Sequence, residues 1–172
     1  VGLTTFDGRI DMTMPPRSTN VQLKNIIACL HNSTPSETTH CAAAIDRAAR
    51  AIRKRGLSIV ISDLFDDPES IIQALRHLRF KGQDTMVLWL LDPLEREFAH
   101  DAQLEVQDME TGAKVYLDGE TAMAHYRRGM EQHRGQIHDA CKELCIDCEA
   151  VYTDEPFYQS LMRVLEKRRM LY

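Results

Sequence analysis

The chain has 172 residues, of which 44% are apolar and 27% are charged, a composition typical of a globular domain. Its formal charge is −5 and it contains no long basic run, so nucleic acid is not expected as the main partner. The longest apolar run, residues 86–91, is far shorter than the roughly 20 residues that a membrane helix needs. We therefore expect no membrane segment in this chain.

The first predicted element is a β-hairpin, because residues 1–6 and 9–14 flank an Asp-Gly turn signal. Two amphipathic helices follow, separated by a polar loop at residues 32–39. The apolar face of the first is made of Leu23, Ile26, Ile27 and Leu30, and that of the second of Ile45, Ala48, Ala49 and Ile52. Thr19 or a neighbouring residue is expected to cap the first helix, and Gly56 ends the second.

Two continuous apolar strands are predicted at residues 57–61 and 85–91, and both are expected to be buried. The helix between them is predicted to be capped by Asp67, with Pro68 in its first turn. Buried strands that alternate with amphipathic helices indicate a parallel sheet covered on both faces, which is an α/β fold.

The second half of the chain is predicted to begin with a small β-ribbon insertion near residues 103–118. A long helix at residues 122–144 follows, with a single apolar stripe in which His133 is expected at a core or boundary position. A last strand at residues 146–152 and a closing helix complete a single domain over residues 1–172.

Five cysteines at irregular spacings indicate reduced thiols in a cytosol-like compartment. Cys145 and Cys148 form a Cys-x-x-Cys pair, but no second pair exists to complete a structural zinc site. Their order, helix then strand, is the reverse of a thioredoxin-type site. We therefore expect Cys145 and Cys148 to bind no metal and to form no disulfide.

No nucleophile elbow, phosphate-binding loop or dinucleotide motif is present. The best candidates for ligand binding or catalysis are polar residues that follow the strand at residues 57–61, because ligands bind at the carboxyl ends of strands in α/β sheets. They are Ser62, Asp63, Asp66 and Asp67. Carboxylate and hydroxyl oxygens are the ligands that Mg²⁺ prefers. The spacing leaves two interpretations open: a magnesium site, or a helix cap at Asp67 beside solvated carboxylates.

The run Gly-Leu-Ser-Ile-Val-Ile-Ser-Asp-Leu-Phe at residues 56–65, preceded by Thr39-x-x-Ala-Ala-Ala, resembles a bacterial von Willebrand factor type A-like family. This is the domain-of-unknown-function family number fifty-eight, commonly encoded beside MoxR-type AAA+ ATPases. The other matching segments span essentially the whole chain in order: residues 1–3, 6–7, 15–17, 91–93 with Glu95 and Glu97, 108–112 and 153–155.

The resemblance implies a three-layer α/β/α sandwich of the von Willebrand factor A type, with a mostly parallel sheet and an antiparallel edge hairpin. It also implies a metal-ion-dependent adhesion site, to which Thr39 and Asp63 match two of three contributions. The first strand and its Asp-x-Ser-x-Ser motif are absent, so the domain is expected to be N-terminally incomplete. We expect weak Mg²⁺ binding and either a gap beside residues 1–6 or a substitute strand from another molecule.

The resemblance further implies a non-enzymatic interaction or adaptor domain that works with an AAA+ ATPase in the assembly or activation of other proteins. Its expected location is cytoplasmic, with any membrane anchor lying upstream in a longer chain. The alternative is a magnesium-dependent hydrolase that uses Asp63, Asp66 and Asp67, although no positioned base or nucleophile accompanies them in the sequence.

Overall fold

The structure is a computed structural model that describes residues 1–7, 10–34, 40–93, 104–107, 114–117 and 119–171. The elements follow in the predicted order: β1 (Leu3–Phe6), β2 (Ile10–Met14), α1 (Asn20–Asn32), α2 (Cys41–Ala51), β3 (Leu57–Ser62), α3 (Pro68–Phe80), β4 (Asp84–Leu91), β5 (Leu104–Gln107), β6 (Lys114–Leu117), α4 (Gly119–Glu143), β7 (Asp147–Tyr152) and α5 (Phe157–Leu171).

The largest sheet contains three parallel strands in the order β3-β4-β7. The predicted parallel pairing of the two apolar strands is thereby confirmed, and β4 lies in the middle. Ile59, Met86 and Asp147 are register partners across the three strands, so their side chains share one face of the sheet. Val87 and Cys148 are register partners on the opposite face.

Two small antiparallel sheets accompany the parallel sheet, β1-β2 and β5-β6. The predicted hairpin and ribbon strands are thus confirmed, whereas the ribbon's turn lies outside the described residues. The hairpin forms a sheet of its own instead of the edge of the parallel sheet, because no described strand bridges β1 and β3. It is held to the rest by the His40 N–H, which donates to the Asp7 carbonyl at 3.2 Å, and by Phe6, which packs against the core.

The main core lies between one face of the parallel sheet and the helices α2, α3 and α4. Ile71 and Leu75 of α3 and Ile137 of α4 are fully buried there, together with Val87 of β4. These positions recur at helical spacing in the sequence, so packing of the apolar stripes on the sheet accounts for the fold.

The opposite face of β7 is covered by α5. Arg163 of α5 donates to Glu149 at 2.8 Å, and Arg168 donates to Asp147 at 2.9 Å and to Asp84 of β4 at 3.0 Å. Asp147 and Glu149 alternate with Cys148 and Ala150, which pack against the main core. Helices therefore lie on both faces of β7.

Strand β3 departs from the prediction that it is buried. Val60 and Ser62 are buried, but Leu57, Ile59 and Ile61 are 52, 50 and 56% exposed. The prediction was wrong for this face because β3 is an edge strand and no described element covers its outer side. We call these three side chains, together with the unpaired edge of the strand, the open face of β3.

Helix α1 shows a similar departure. Thr19 caps it through Oγ1, which accepts from the Gln22 N–H at 3.2 Å, as predicted. Ile26 is buried, whereas Leu23, Ile27 and Leu30 of the predicted apolar face are more than half exposed. Among the helices of the described residues, none is long and apolar enough to cross a membrane.

Candidate functional site

The loop that follows β3, residues 62–67, is the candidate site and is called the carboxyl-end loop below. The Ser62 hydroxyl donates to Asp63 Oδ1 at 3.3 Å and accepts from the Leu64 N–H at 3.1 Å. Asp63 Oδ1 also accepts from the Phe65 N–H at 3.3 Å. These bonds fix the Asp63 carboxylate at the carboxyl end of β3, where its side chain is exposed to solvent.

Leu64 holds the loop in a strained conformation. Its φ of 54° is in the left-handed region, which a leucine rarely adopts, yet its side chain is fully buried. The Leu64 carbonyl accepts from the Asp66 N–H at 3.1 Å and from His133 Nε2 at 3.0 Å. Burial of the side chain and these two donors compensate for the strain, so the loop is preorganised.

His133 and Trp89 hold the carboxyl-end loop by hydrogen bonds to its backbone carbonyls. Trp89 Nε1 donates to the Asp63 carbonyl at 2.7 Å, and the two rings meet edge to face with centroids 6.1 Å apart. The half-buried position of His133 confirms its prediction as a core or boundary residue. Its hydrogen bond to Leu64 could not be read from the sequence, because it links residues 69 positions apart.

Asp66 and Asp67 act as helix caps. Asp66 Oδ2 accepts from the Ala42 N–H of α2 at 3.2 Å, and its Oδ1 accepts from the Asp67 N–H at 2.8 Å. Asp67 Oδ2 accepts from the Ser70 N–H and hydroxyl at 2.9 and 2.7 Å, which confirms the predicted cap of α3. Hydrogen bonding by the Ser70 hydroxyl and then by its N–H lowers the pKa of Asp67.

Of the two interpretations of the acidic cluster, the helix cap at Asp67 is confirmed, whereas an ion site made of Asp63, Asp66 and Asp67 stays a prediction. Helix termini leave their first N–H groups without partners, and two of the three carboxylates are oriented to satisfy them. Within the described part of the chain, no three His, Cys, Asp or Glu side chains are placed to hold a metal ion together.

Thr39, the other predicted magnesium ligand, lies outside the described residues, so the structure does not show its distance from Asp63. Asp63 stands where the resemblance placed it, after β3 with an exposed carboxylate. Magnesium requires about six oxygen ligands in octahedral geometry. The described residues fit such an ion only in part, because Asp63 contributes a carboxylate and most positions would be filled by water.

Cys41 is a site residue that the sequence analysis missed. It begins α2, beside the carboxyl-end loop, and it is almost fully buried. Burial raises the pKa of its thiol to about 11, an effect that a hydrogen bond with Ser62 opposes and the carboxylates of Asp63 and Asp66 reinforce. The thiol therefore stays protonated near neutral pH and is a poor nucleophile. The sequence offered one sign of this role, because Cys41 lies two residues after the predicted ligand Thr39.

The cysteine pair predicted from spacing is not the pair that the fold brings together. Cys145 is exposed, with a φ of 51° at the end of α4, whereas Cys148 of β7 faces Cys141 of α4. A hydrogen bond between these two thiols, followed by burial, raises the pKa of Cys141; the same hydrogen bond lowers the pKa of Cys148. That Cys145 and Cys148 bind no metal and form no disulfide stays a prediction.

Comparison with known sequences gives one family match, to the model described as "Protein of unknown function DUF58", over residues 1–136. The uncharacterized proteins Rv1480 of Mycobacterium tuberculosis and Mb1516 of Mycobacterium bovis are each 24% identical over 163 residues. Those alignments cover 92% of this chain and 51% of each relative. The chain thus spans about half the length of the curated relatives it matches.

Among solved structures, the conserved hypothetical protein BatB from Bacteroides thetaiotaomicron is similar over 99% of this chain and 78% of its own. The TM-score is 0.55 at 18% identity, which supports a shared fold and nothing further. An aerotolerance-related membrane protein from Bacteroides fragilis, 14% identical, matches 94% of this chain and 78% of its own with a TM-score of 0.48. That likeness is too weak to support a conclusion.

Proposed function

The chain belongs to the family of proteins of unknown function DUF58, and we propose that it is a non-enzymatic protein-interaction domain. The proposed binding surface is the open face of β3. The partner contributes an extended segment that pairs with the edge of this strand and covers its apolar side chains.

The exposure of Leu57, Ile59 and Ile61 is the observation that carries the proposal. Three branched aliphatic side chains on one face of an edge strand are costly to leave in water, and the unpaired edge of such a strand attracts additional strands. Strand addition is a common mode of peptide recognition, in which main-chain hydrogen bonds give affinity and alternate side chains give specificity. The parallel sheet of this chain offers both components at β3.

Helix α5 lies on the same side of the parallel sheet as the open face of β3. Ile59, Met86 and Asp147 are register partners on one face of the sheet. Because Asp147 binds Arg168 of α5, the exposed side of β3 is the side on which α5 packs. Leu161 and Leu165 of α5, four residues apart on one side of the helix, are 42 and 51% exposed. An element laid on β3 would therefore lie on the same side of the sheet as α5 and would meet the apolar side chains of the open face beneath it.

An enzymatic role has less support. Asp66 and Asp67 are engaged as caps, and the buried Cys41 thiol is held in its protonated form. A hydrolase needs a positioned base or nucleophile in addition to the ion. The donors and acceptors of the carboxyl-end loop are instead used to fix its own backbone.

The finer features of the proposal come from the family resemblance. They are the three-layer sandwich of the von Willebrand factor A type, a MoxR-type AAA+ ATPase as the partner, and a location on the cytoplasmic side of the membrane. Helices on both faces of β7 and the exposed Asp63 at the end of β3 are compatible with them. A weak magnesium site at Thr39 and Asp63 is likewise proposed, with water in most of its coordination positions.

A binding assay with the MoxR-type ATPase encoded by the same genome tests the surface and the partner together. We expect Ile59→Lys to weaken binding by at least about tenfold, because a buried lysine on a paired edge is strongly unfavourable. Phe80→Lys is the matched control, since Phe80 is an exposed apolar side chain at the end of α3. Equal binding by both variants would contradict the assignment of the surface. Absence of binding by the unaltered chain would contradict the assignment of the ATPase.

Calorimetry separates the magnesium proposal from the hydrolase alternative. We expect weak Mg²⁺ binding that is lost in Asp63→Ala and kept in Asp67→Asn, with no phosphatase or nuclease turnover. Tight binding that survives Asp63→Ala would place the ion elsewhere, and turnover abolished by Asp63→Asn would establish an enzyme.

A further inference from the structure

A cavity of about 470 Å³ lies between the hairpin and α1, apart from both the open face of β3 and the carboxyl-end loop. Its lining includes three sulfur-containing residues, Met12 and Met14 of β2 and Cys29 of α1. The remaining wall is largely polar and includes the side chains of Asp7, Asn25 and Asn32. A polar, solvent-open cavity that concentrates sulfur is not the usual environment of methionine.

The three sulfur atoms come from two elements that converge. Met12 and Met14 are alternate residues of β2, so their side chains leave the strand on the same face. The Cys29 thiol donates to Met12 Sδ at 3.2 Å, which brings the helix and the strand into direct sulfur–sulfur contact. Met12 is 42% exposed and Cys29 is half-buried, so a solute can reach them.

Hydrophobic packing does not account for this arrangement. None of the three residues belongs to the main core, although Phe6 of the same hairpin packs against that core. Methionines that fill a core are covered by apolar neighbours, whereas here Met12 and Met14 line the same open cavity as Cys29 and the polar residues Asp7, Asn25 and Asn32.

We propose that Cys29, Met12 and Met14 form a binding site for a soft monovalent metal ion, copper(I). Thiolate and thioether sulfur are the protein ligands that select copper(I), whereas Mg²⁺ and Ca²⁺ require oxygen. Binding replaces the proton of the Cys29 thiol with the metal ion and releases that proton to solvent. Three rotatable bonds in each methionine let the two thioethers close around the ion beside the thiolate.

The test is an anaerobic titration of the chain with copper(I) in competition with the chromogenic chelator bicinchoninate. We expect each chain to withhold one equivalent of copper(I) from bicinchoninate. The affinity for copper(I) should rise with pH, because binding releases the thiol proton. Met12→Leu and Met14→Leu, which conserve side-chain volume, should each weaken binding by about tenfold or more, and Cys29→Ser by more. Cys145→Ser and Met162→Leu, exposed residues elsewhere, should leave it unchanged.

The two leucine variants decide the result even if Cys29→Ser disturbs the helix. Copper(I) that remains tightly bound in both would show that the ion sits on thiols alone, for example at Cys141 and Cys148, and would overturn the proposal. X-ray absorption gives an independent readout, because the site predicts a coordination shell made only of sulfur. A shell that contains nitrogen or oxygen at full occupancy would also overturn it. Neither outcome bears on partner binding at β3, which uses a different sheet.

Discussion

Ile59 and Met86 occupy neighbouring positions of the parallel sheet, yet their surroundings differ completely. They are register partners on one face of β3 and β4, but Met86 is 4% exposed and Ile59 is 50% exposed. On the side of β4, strand β7 completes the sheet and α5 reaches across through Arg168 and Asp84. On the side of β3, no described element provides a cover.

An apolar strand therefore does not determine its own burial. Both strands are largely apolar, and the register partners Ile59 with Met86 and Ile61 with Leu88 on this face are apolar in both. What separates them is a neighbour in space, which depends on topology rather than on local sequence. An apolar strand that the described residues leave uncovered is therefore a candidate surface for a further element or a partner.

The greatest loss of stability that we predict follows directly from this contrast. Met86→Ala should lower the free energy of unfolding by about 3 kcal/mol, because it leaves a cavity in a covered region, whereas Ile59→Ala should cost less than about 1 kcal/mol. Urea unfolding of the two variants measures both values. Equal losses would mean that Ile59 is covered in solution. A concentration-dependent midpoint would then identify a second copy of the chain as the cover.

The sequence predicted most of the fold because most of it is recorded in local periodicity. The alternate apolar residues of the hairpin, the stripe of α4 and the capped start of α3 all appear where predicted. The parallel pairing of β3 with β4 also follows, since a helix joins them and connections of that kind return in the same direction.

The candidate site was predicted less well, because its contacts join distant parts of the chain. Asp66 caps α2, which begins 25 residues earlier in the sequence, and no local pattern marks such a cap. Cys148 meets Cys141 rather than Cys145 because residues on one face of a helix, not nearest neighbours in sequence, face the strand that follows. Asp63 could be predicted, since ligands gather at the carboxyl ends of parallel strands.

The next prediction concerns α5, which covers β4 and β7 on this face of the sheet. Arg168 is only 18% exposed and binds two carboxylates, Asp84 and Asp147. Arg168→Met should lower stability by about 1.5 kcal/mol, a value reduced by the partial exposure of the two partners. Arg50→Met is the control, because its exposed pair with Asp46 should contribute within about 0.5 kcal/mol.

Hydrogen exchange sharpens this test. If Arg168 fastens α5 to the sheet, its loss should increase amide exchange in α5 and β7 and leave α3 unchanged. The face of β4 and β7 under α5 would then become accessible to solvent, as the open face of β3 already is. Similar losses from Arg168→Met and Arg50→Met would show that α5 is held by Val164 and other apolar contacts alone.

A smaller effect is expected at the end of the open strand, where Asp66 joins the carboxyl-end loop to α2. Asp66→Ala removes the acceptor of the Ala42 N–H and should cost about 1 kcal/mol, as loss of a helix cap does. Asp66→Asn keeps an acceptor oxygen and should retain most of that stability. An equal loss in both variants would show that the charge of Asp66, rather than its hydrogen bond, holds the loop.

The smallest expected effect is a change in pH dependence at Asp67. The Ser70 hydroxyl and N–H lower the pKa of Asp67 below its ordinary value of 3.8 in the folded state. A carboxyl with a lowered folded pKa adds stability above its unfolded pKa, and this contribution is lost as the pH falls through the folded value. Wild-type stability should therefore decline below about pH 3.8, with Asp46 contributing in the same range because its hydrogen bond to His77 lowers its pKa too.

Asp67→Asn isolates the contribution of this carboxylate, because asparagine caps helices about as well as aspartate but does not titrate. Urea midpoints measured from pH 2 to pH 6 should decline less steeply on acidification in Asp67→Asn than in the wild type. Ser70→Ala should have a similar but weaker influence, since it removes only the hydroxyl donor. Parallel curves for wild type and Asp67→Asn would show that the acid sensitivity arises elsewhere, with Asp46 and His77 as the first pair to examine. We would then conclude that the buried side chain of Leu64, and not the charge of the helix cap Asp67, stabilises the carboxyl-end loop.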